Sequence, residues 1–308
     1  MLKLVLAVFC VIFFSACQSM KLSRLEPQNI PNFIPPKNDV KIALILGGGG
    51  SKGLAHVGVI KELEDAGIHP DLIVGCSSGA IIGAFYADQP DIARIHKMLM
   101  SIKKSDLMDF SLFFSKFGVV KGKLLTNFIS KNLKAKIFSD LNIPFIAVAT
   151  DLRSGELVEL GVGDLVSSIK ASAAVPGVFN PVLYKGRYLV DGGVVDPIPV
   201  RIAKKYGAKV IIAVDVGSDV NDHEPNHFLG IAKRSLEISL RKLSEYVTRD
   251  ADITLRMNFN NIGMFTDSYN KEIFEHGRKV TRIMLPEIQK QIYEKLQCEK
   301  EESEIEAN

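Results

Sequence analysis

The pentapeptide Gly-Cys-Ser-Ser-Gly at residues 75–79 constrains the fold of this chain more than any other stretch. The apolar run 72–74 precedes it, and a small-residue stretch with helical spacing follows it. This pattern predicts a strand, a sharp turn at Ser77 and a helix, which together form a nucleophile elbow. Gly75 and Gly79 are needed because side chains there would collide with the strand and the helix. The N-terminus of the helix favours negative charge on the serine oxygen, so Ser77 is a candidate nucleophile.

A second glycine-rich turn lies upstream, between a strand-like run and a helix-like run. Residues 47–53 read Gly-Gly-Gly-Gly-Ser-Lys-Gly, and Gly48, Gly50 and Gly53 fit a dinucleotide-binding fingerprint. That fingerprint also needs an acidic residue about 20 residues further on, where this chain has the pentapeptide instead. A phosphate-binding loop needs a Lys-Ser or Lys-Thr pair after a glycine, and this pair is absent from the turn.

The remaining interpretation of the glycine turn is an oxyanion hole. In such a hole, the backbone N–H groups of Gly48, Gly49 and Gly50 would stabilise a developing negative oxygen. The glycine turn and the pentapeptide follow consecutive strand-like runs, and the ends of adjacent parallel strands meet at one edge of a sheet. We therefore expect the glycine turn to lie close to Ser77.

Strand-like and helix-like segments alternate along most of the chain. Apolar runs typical of buried strands recur after the pentapeptide, and long helical patterns cover 228–248 and 271–296, with a break expected at Pro286. This alternation predicts an α/β fold whose mainly parallel sheet is covered by helices on both faces. We expect one domain over residues 40–285, followed by a C-terminal helix and acidic tail over 286–308.

A second candidate for chemistry is Asp191, which closes a short apolar strand-like run. Gly192 and Gly193 follow it, and two glycines allow such a turn to approach another loop closely. Asp191 is therefore a candidate partner for Ser77. An ordinary turn aspartate would give the same local pattern, so the pattern alone leaves both interpretations open.

Residues 107–117 form an unusually apolar connection that is rich in phenylalanine. Such a segment can act as a lid or as a wall for an acyl chain. It can equally be packing between helices, which is the commoner fate of large apolar residues. Both interpretations stay open on the sequence.

The first 16 residues have the organisation of a signal peptide, with a lysine, an apolar core too short to span a bilayer, and small residues. Residues 14–17, Phe-Ser-Ala-Cys, resemble a bacterial lipobox and predict lipidation at Cys17, with a plain secretory signal as the alternative. Residues 17–39 then form a polar, proline-containing tether. We expect a lipid-anchored protein of the bacterial cell envelope, and Gln18 after the cysteine favours the outer membrane.

The composition excludes few classes of protein. A formal net charge of +3 gives no reason to expect a nucleic-acid partner. With 47% hydrophobic residues, the chain can bury a sizeable core. Only Cys76 and Cys298 lie outside the N-terminal segment, so we expect no structural disulfide.

Four blocks of sequence occur in a fixed order along the chain. They are the glycine turn at 47–53, the pentapeptide at 75–79, Ala-Ser-Ala-Ala-Val-Pro-Gly-Val-Phe at 171–179 and Asp-Gly-Gly at 191–193. Together, over about residues 40–216, they resemble the patatin-like phospholipase family in its bacterial branch. The resemblance implies a three-layer α/β/α sandwich with a mainly parallel central sheet. It also implies hydrolysis of acyl esters in phospholipids, lysophospholipids and related lipids.

The resemblance implies roles for individual residues. Ser77 would be the nucleophile and Asp191 its base and later its acid, in a dyad that needs no histidine, metal or cofactor. The run of Gly48, Gly49 and Gly50 would supply the oxyanion hole. The partners implied are a lipid or lysolipid substrate and the membrane surface. Further residues that support these motifs are Lys52, Gly53, Gly75, Gly79, Gly192 and Gly193.

The glycine turn departs from the family pattern at two positions. The family usually has aspartate where this chain has Gly47, and arginine where it has Lys52. Lysine keeps the charge but loses the bidentate fork of arginine. Because backbone N–H groups would bind the oxyanion, we expect activity to survive these changes, while the rate and the head-group preference are open.

Two rival functions remain. One is another type of serine hydrolase, and the other is not an enzyme. In a Ser-Asp-His esterase, His223, His227 or His276 would follow Asp191 in the order that such a triad requires. A catalytically silent, lipid-binding lipoprotein is the non-enzyme alternative, and Gly47 and Lys52 are its main support. Loss of turnover in one histidine variant would favour the triad, whereas lipid binding without any turnover would favour the silent protein.

Overall fold

A computed structural model describes most of the chain beyond the predicted signal peptide. The predicted lipidation site at Cys17 and the candidate His223 lie outside the described residues, as does most of the predicted tether. The described residues are 26–31, 33, 40–115, 118–217, 227–259, 262 and 267–306.

The strands of the described residues carry the apolar runs seen in the sequence. The central parallel strands are almost wholly buried, as expected of strands covered on both faces. They are β1 (Ile42–Leu46), β2 (Leu72–Cys76), β3 (Phe110–Ser115), β4 (Gly118–Val120), β5 (Phe145–Asp151), β6 (Leu157–Leu160), β7 (Gly177–Phe179), β8 (Val182–Tyr184), β9 (Arg187–Asp191), β10 (Val210–Asp215) and β11 (Ile253–Arg256).

The α-helices of the described residues alternate with these strands. Of the two longest, the first matches the expected range 228–248, whereas the second runs ten residues beyond the expected end at residue 296. They are α1 (Leu54–Asp65), α2 (Ser78–Asp88), α3 (Ile92–Met100), α4 (Lys104–Leu107), α5 (Lys123–Asn132), α6 (Leu165–Ser172), α7 (Val200–Lys205), α8 (Phe228–Val247) and α9 (Asn270–Glu306). None of the helices in these described ranges is both long enough and apolar enough to cross a membrane.

The main sheet has the order β11-β10-β1-β2-β5-β9-β8, with β6 also paired to β5. β11, β10, β1, β2 and β5 run parallel, while β6, β8 and β9 join in antiparallel pairs. A central, mostly parallel sheet confirms the predicted fold class. The carboxyl ends of β1 and β2 therefore lie at the same edge of the sheet, as the expectation for the glycine turn requires.

Side chains of β1 alternate between two separate hydrophobic clusters. Leu44 and Leu46 belong to the larger cluster, which contains residues of α1, α2, α3, α5, α6 and α9. Ala43 and Ile45 belong to the smaller cluster, which contains residues of α7 and borders Val247 at the end of α8. The sheet is therefore the middle layer of an α/β/α sandwich.

The phenylalanine-rich connection differs from expectation in its secondary structure. Residues 107–117 were expected to link helices, but they contain β3. This strand pairs with β4 just beyond the connection, and β4 pairs with β7 in a second, three-stranded sheet. Phenylalanine has a high β propensity, and the pairing partner at 177–179 is too distant in sequence for local patterns to reveal.

The break expected at Pro286 is wrong, because α9 continues through this residue. A proline inside a helix removes one backbone hydrogen bond and strains the preceding turn. Here the helix is held from outside, since α9 packs along α1 and Ile288, just beyond the proline, is fully buried. Tertiary packing thus outweighs the local cost of the proline.

The contact between α1 and α9 depends on two glycines. A Cβ on Gly58 would lie 2.2 Å from the Phe274 carbonyl oxygen, and a Cβ on Gly277 would lie 2.3 Å from the Ala55 carbonyl oxygen. Both obstructing atoms belong to the backbone and cannot rotate away. The two helices can therefore pack this closely only with glycine at these positions.

We predict that Gly58→Ala destabilises the protein. In an exposed helix this change would stabilise by about 1 kcal/mol through helix propensity. Overpacking against the α9 backbone opposes that gain, and we expect a net loss of about 1–3 kcal/mol in the free energy of unfolding. Urea unfolding would measure it. Lys279→Ala, at an exposed position of α9, is the matched control and should leave stability unchanged. Equal or higher stability of Gly58→Ala would contradict the close backbone contact.

Candidate active site

Ser77 lies in the sharp turn between β2 and α2, as the pentapeptide predicts. Its backbone has φ 55° and ψ −120°, a conformation that a residue with a side chain rarely adopts. A Cβ on Gly79 would lie 2.0 Å from the Leu46 carbonyl oxygen, and one on Gly75 would lie 2.6 Å from the Ala80 Cα. The close packing of these two glycines holds the strained turn in place.

Asp191 reaches Ser77 because β2 and β9 share one edge of β5. β2 pairs with β5 as far as Val148, opposite Cys76, and β9 pairs with it from Ala149, opposite Asp191. β6 overlaps both ranges, so it occupies the opposite edge. The ends of β2 and β9 therefore meet end to end, and the Cys76 Sγ lies 3.7 Å from Asp191 Oδ1.

The Asp191 carboxylate is buried and only partly hydrogen-bonded. Its Oδ1 accepts the Gly193 N–H at 2.8 Å, whereas the buried Oδ2 has no hydrogen-bond partner among the described residues. Burial raises the pKa of Asp191 from 3.8 to about 6, against smaller opposing effects of the Ser77 hydroxyl, the Gly193 N–H and the Cys76 thiol. This carboxylate is therefore a stronger base than an exposed aspartate.

The Cys76 thiol is buried beside this carboxylate. Burial, Asp191 and Asp196 together raise the pKa of the thiol well above its usual value. A thiol held in its protonated form is a poor nucleophile. In this pair of neighbouring side chains, Ser77 is therefore the candidate for nucleophilic attack.

Ser172 is a site residue whose role the sequence did not reveal. Its fully buried hydroxyl oxygen accepts the Ser77 backbone N–H at 3.0 Å. This bond gives the strained turn a partner from α6, 95 residues away. Ser172 stands in the third of the four sequence blocks, so its position in that block was the available signal, but nothing local indicated the contact.

The glycine turn lies against Ser77, as expected, but its N–H groups differ in availability. The Gly48 N–H already donates to the Pro197 carbonyl at 3.0 Å, while Gly48 lies so close to Ser77 that a Cβ there would sit 3.2 Å from the serine Cβ. The Gly49 and Gly50 N–H groups donate to no acceptor within the described part of the chain. The N–H groups of Gly49 and Gly50 are therefore the candidate oxyanion donors, while that of Gly48 is already occupied.

His56 holds the start of the glycine turn. Its Nε2 lies 2.8 Å from the Gly47 carbonyl oxygen, which can only accept, so Nε2 carries the proton. Complete burial lowers the pKa of His56 from 6.5 to about 4, although its hydrogen bond to Gly47 acts in the opposite direction. A neutral imidazole therefore fixes the turn at physiological pH.

The other residues of the predicted motifs fill structural positions around the turn. A Cβ on Gly53 would lie 2.6 Å from the Ser78 Cβ, and one on Gly192 would lie 2.6 Å from the Val148 carbonyl oxygen. Lys52 is buried, and its Nζ lies 5.9 Å from the centre of the Phe259 ring. Lys52 thus contacts an aromatic face through a cation–π interaction.

Of the three histidines proposed for a triad, the structure describes His227 and His276. The His276 ring packs against Phe259 with 5.0 Å between ring centres, and His227 is exposed at the start of α8. Within the described ranges, the hydrogen bonds to the Asp191 carboxylate come from the Gly193 N–H and the Cys76 thiol.

An apolar cavity of about 180 Å³ opens beside Ser77. Its walls come from the glycine turn, from α2 and from the segments around α3, α5 and α6. Leu107 and Met108, at the start of the phenylalanine-rich connection, contribute to the wall. The lining residues are Gly50, Ser51, Gly53, Leu54, Ser77, Ser78, Ile81, Ile82, Leu99, Ile102, Lys103, Leu107, Met108, Leu125, Phe128, Ala173, Val175, Phe179, Asp267 and Asn270.

Leu107 and Met108 therefore support the interpretation of residues 107–117 as a wall of the cavity. The side chains of Phe110–Val119 lie outside the described part of the structure, so the alternatives of lid and packing stay open for them. At the far side of the cavity wall, Phe128 packs edge-on against Phe85, with ring centres 5.7 Å apart.

Comparison with known proteins identifies the family of this fold and site. Residues 44–204, just over half of the chain, match the model of the patatin-like phospholipase family. The chain therefore belongs to the patatin-like phospholipase family.

Two relatives and one solved structure illustrate the similarity. Patatin-like phospholipase domain-containing protein 6 of Mus musculus is 34% identical over 183 residues, which are 58% of this chain and 14% of that protein. Lysophospholipase NTE1 of Debaryomyces hansenii is 35% identical over 191 residues, 61% of this chain and 12% of that protein. The chain thus spans less than a sixth of these relatives. The crystal structure of VipD from Legionella pneumophila matches with a TM-score of 0.54 at 15% identity. The match covers 89% of this chain and 73% of that one, and it shows that the two share a fold.

We predict that Asp191→Asn stabilises the protein at high pH. Because its pKa is raised in the fold, native Asp191 holds its proton more tightly than the unfolded chain does, so the free energy of unfolding falls as the pH rises from about 4 to about 6. Removing the charge should restore on the order of 3 kcal/mol at pH 8 and little at pH 4. Urea unfolding at both pH values measures this. Asp140→Asn, at an exposed carboxylate, should show no such difference, and an equal effect of Asp191→Asn at both pH values would argue against a buried charge.

Proposed function

We propose that this protein is a serine hydrolase that cleaves acyl esters of lipids, of the phospholipase A or lysophospholipase type. The observation that carries the proposal is the strained Ser77 at the mouth of an apolar cavity, next to a buried carboxylate of raised pKa. The names of the relatives support a lipid substrate. The same serine chemistry can cleave peptides, but an apolar cavity suits an acyl chain better.

The reaction proceeds in two halves through an acyl-enzyme. In the first, Asp191 takes the proton of the Ser77 hydroxyl as the serine oxygen bonds to the ester carbonyl carbon. The tetrahedral oxyanion accepts the N–H groups of Gly49 and Gly50. Asp191 then returns the proton to the alkoxide of the leaving alcohol as the ester C–O bond breaks. In the second half, Asp191 deprotonates a water molecule as its oxygen attacks the acyl carbon. The bond between the acyl carbon and the Ser77 oxygen then breaks, Asp191 returns the proton to Ser77, and the fatty acid leaves.

The raised pKa of Asp191 suits both halves of this reaction. A general base works best when its pKa lies near the working pH, because it is then ionised yet still basic. A pKa of about 6 meets that condition, whereas 3.8 would make proton transfer from serine less favourable. Each oxyanion donor contributes on the order of 3 kcal/mol to such reactions, so Gly49 and Gly50 supply a large share of the acceleration.

The cavity supports an acyl chain as the group held during the reaction. The cavity has a volume of about 180 Å³ and is lined mainly by apolar side chains, so it suits part of a fatty acyl chain. The Phe85–Phe128 pair lies beside the wall on α2 and α5. The carbonyl end of the chain then lies at Ser77, with the alcohol portion directed outwards.

We also propose that the protein is a lipoprotein of the bacterial cell envelope, anchored through Cys17 and placed in the outer membrane. Support comes from the lipobox-like residues 14–17 and from Gln18. A lipid anchor would hold the enzyme at the surface that contains its substrate. Mass spectrometry of the purified N-terminal peptide, with Cys17→Ser as control, tests the lipidation.

We predict that a fluorophosphonate probe labels the wild-type protein at Ser77. Such a probe reacts with an activated serine, so Ser77→Ala should lose labelling and the hydrolysis of a medium-chain ester. Asp191→Asn should lower both by a factor of about 100 or more, since the base contributes about 10²–10⁴-fold. Gel fluorescence and ester turnover would be measured in parallel on the same folded samples.

His276→Ala is the matched control for this experiment. It removes a histidine that follows Asp191 in the chain but packs against Phe259, so labelling and turnover should remain. Loss of activity in folded His276→Ala would favour a triad instead. Absence of labelling in folded wild type, with lipid binding retained, would favour a silent lipid-binding protein.

We predict that kcat/KM for a soluble ester falls below about pH 6. The base must be ionised to accept the serine proton, so activity follows the fraction of ionised Asp191, which drops tenfold per pH unit well below the pKa. A pH–rate profile measures this. His276→Ala should show the same fall in kcat/KM at low pH, which would assign the titrating group to the carboxylate and not to His276. An acid limb near pH 4 would rule out Asp191 as a base of raised pKa.

A further inference from the structure

The first half of helix α8 is an apolar surface that the rest of the described chain leaves exposed. Phe228 is 80% exposed, Ile231 55% and Leu236 60%. Among residues 228–240, here called the α8 arm, no side chain that the structure describes is buried. Single exposed apolar residues are common on proteins, but several on one helix mark a surface that binds something.

The α8 arm extends past the carboxyl ends of the strands. Asp252, just after the helix, accepts the Ile211 N–H at the start of β10, while Arg241 lies 3.9 Å from Asp215 at the end of β10. The helix therefore runs antiparallel to β10. From Arg241 it continues for thirteen residues to Phe228, which takes its N-terminus about 20 Å beyond this edge of the sheet.

The same edge carries the candidate active site and receives the N-terminal chain. The Gln28 N–H donates to the Lys185 carbonyl at 3.0 Å, in the turn between β8 and β9. That turn lies beyond the carboxyl end of β5, because Leu189 pairs with Asp151. Eight residues lie between Cys17 and Glu26, so the two are at most about 32 Å apart when the chain is fully extended. A lipid at Cys17 would therefore attach the protein by its active-site end.

We propose that the α8 arm docks into the surface of an anionic phospholipid bilayer, so that the mouth of the cavity faces the lipid. The α8 arm carries two basic residues (Lys233 and Arg234) and one acidic residue (Glu237), a net charge of +1. Exposed apolar side chains together with a positive charge are the features of a helix that lies in a membrane interface. A substrate molecule then has a short path from the bilayer to Ser77.

A second copy of the chain is the other occupant that an exposed helix could have. Two α8 arms in contact would bring like net charges together, which opposes such a pairing. The arm also lies at the edge of the sheet where the N-terminal chain leaves the fold. A bilayer that holds a lipid anchor at Cys17 would therefore be close to the arm. Charge and position together therefore favour lipid.

The chain contains no tryptophan, so one introduced residue reports on its own surroundings. We would make Phe228→Trp in the full-length protein and add vesicles of ether-linked phosphatidylethanolamine and phosphatidylglycerol, which have no ester to cleave. The emission should shift to shorter wavelength, and brominated acyl chains should quench it. Tyr293→Trp, at a 66% exposed position on α9, is the matched control and should do neither.

The possible outcomes separate the occupants of the arm. Quenching of Phe228→Trp alone supports docking into lipid. Equal quenching at both positions, or none at Phe228→Trp while the protein floats with the vesicles, overturns the proposal. A shift that appears without vesicles and grows with protein concentration also overturns it, in favour of a second copy.

Docking of the α8 arm does not depend on the proposed function. Only its expected effect on lipid hydrolysis rests on that function. We expect a variant with Phe228→Ser, Ile231→Ser and Leu236→Ser to lose roughly tenfold or more of its turnover on anionic ester-lipid vesicles, through lost apolar contact. Its turnover of a soluble ester should equal that of wild type. If wild type cleaves no ester, the hydrolase proposal fails while the tryptophan experiment still decides docking. Equal losses on vesicles and on soluble ester would show that the variant damages the site itself.

Discussion

The candidate site depends on one pairing arrangement, in which β2 and β9 share an edge of β5. Because β2 ends opposite Val148 and β9 ends opposite Ala149, the turn of Ser77 and the carboxylate of Asp191 must meet. A Cβ on Gly75, Gly79 or Gly192 would collide with backbone atoms around this junction, which explains these glycines. The hydrogen bond from Ser77 to Ser172 then ties the junction to the helical layer. The strand pairing that builds the sheet therefore also builds the candidate site.

This junction also sets the balance between stability and reactivity. Bringing Asp191 into the sheet removes its carboxylate from water, and burial raises its pKa to about 6. The ionised form is costly to the fold, yet it is the form a general base needs. His56 shows the opposite use of burial, since its lowered pKa keeps it neutral while it holds the Gly47 carbonyl. One carboxylate is kept reactive and one imidazole is kept inert by the same physical effect.

Sequence patterns predicted the parts of this structure that local chemistry determines. The strand, turn and helix around Ser77 and the mostly parallel sheet follow from apolar periodicity and glycine placement, and the family follows from four ordered blocks. The role of Ser172 was not predictable, because its partner lies 95 residues away. Nor was the occupied N–H of Gly48, which depends on the Pro197 carbonyl. The continuous helix through Pro286 was missed because packing against α1 outweighs a local preference.

The end-to-end meeting of β2 and β9 has a consequence for how the protein matures. Cys76 and Asp191, which touch at the junction, are 115 positions apart in the chain. Contacts between such distant residues form late, since the intervening chain must be ordered first. A partly folded chain would therefore have the serine turn without Asp191 beside it. In the proposed hydrolase, chemical competence would then arrive only with completed folding.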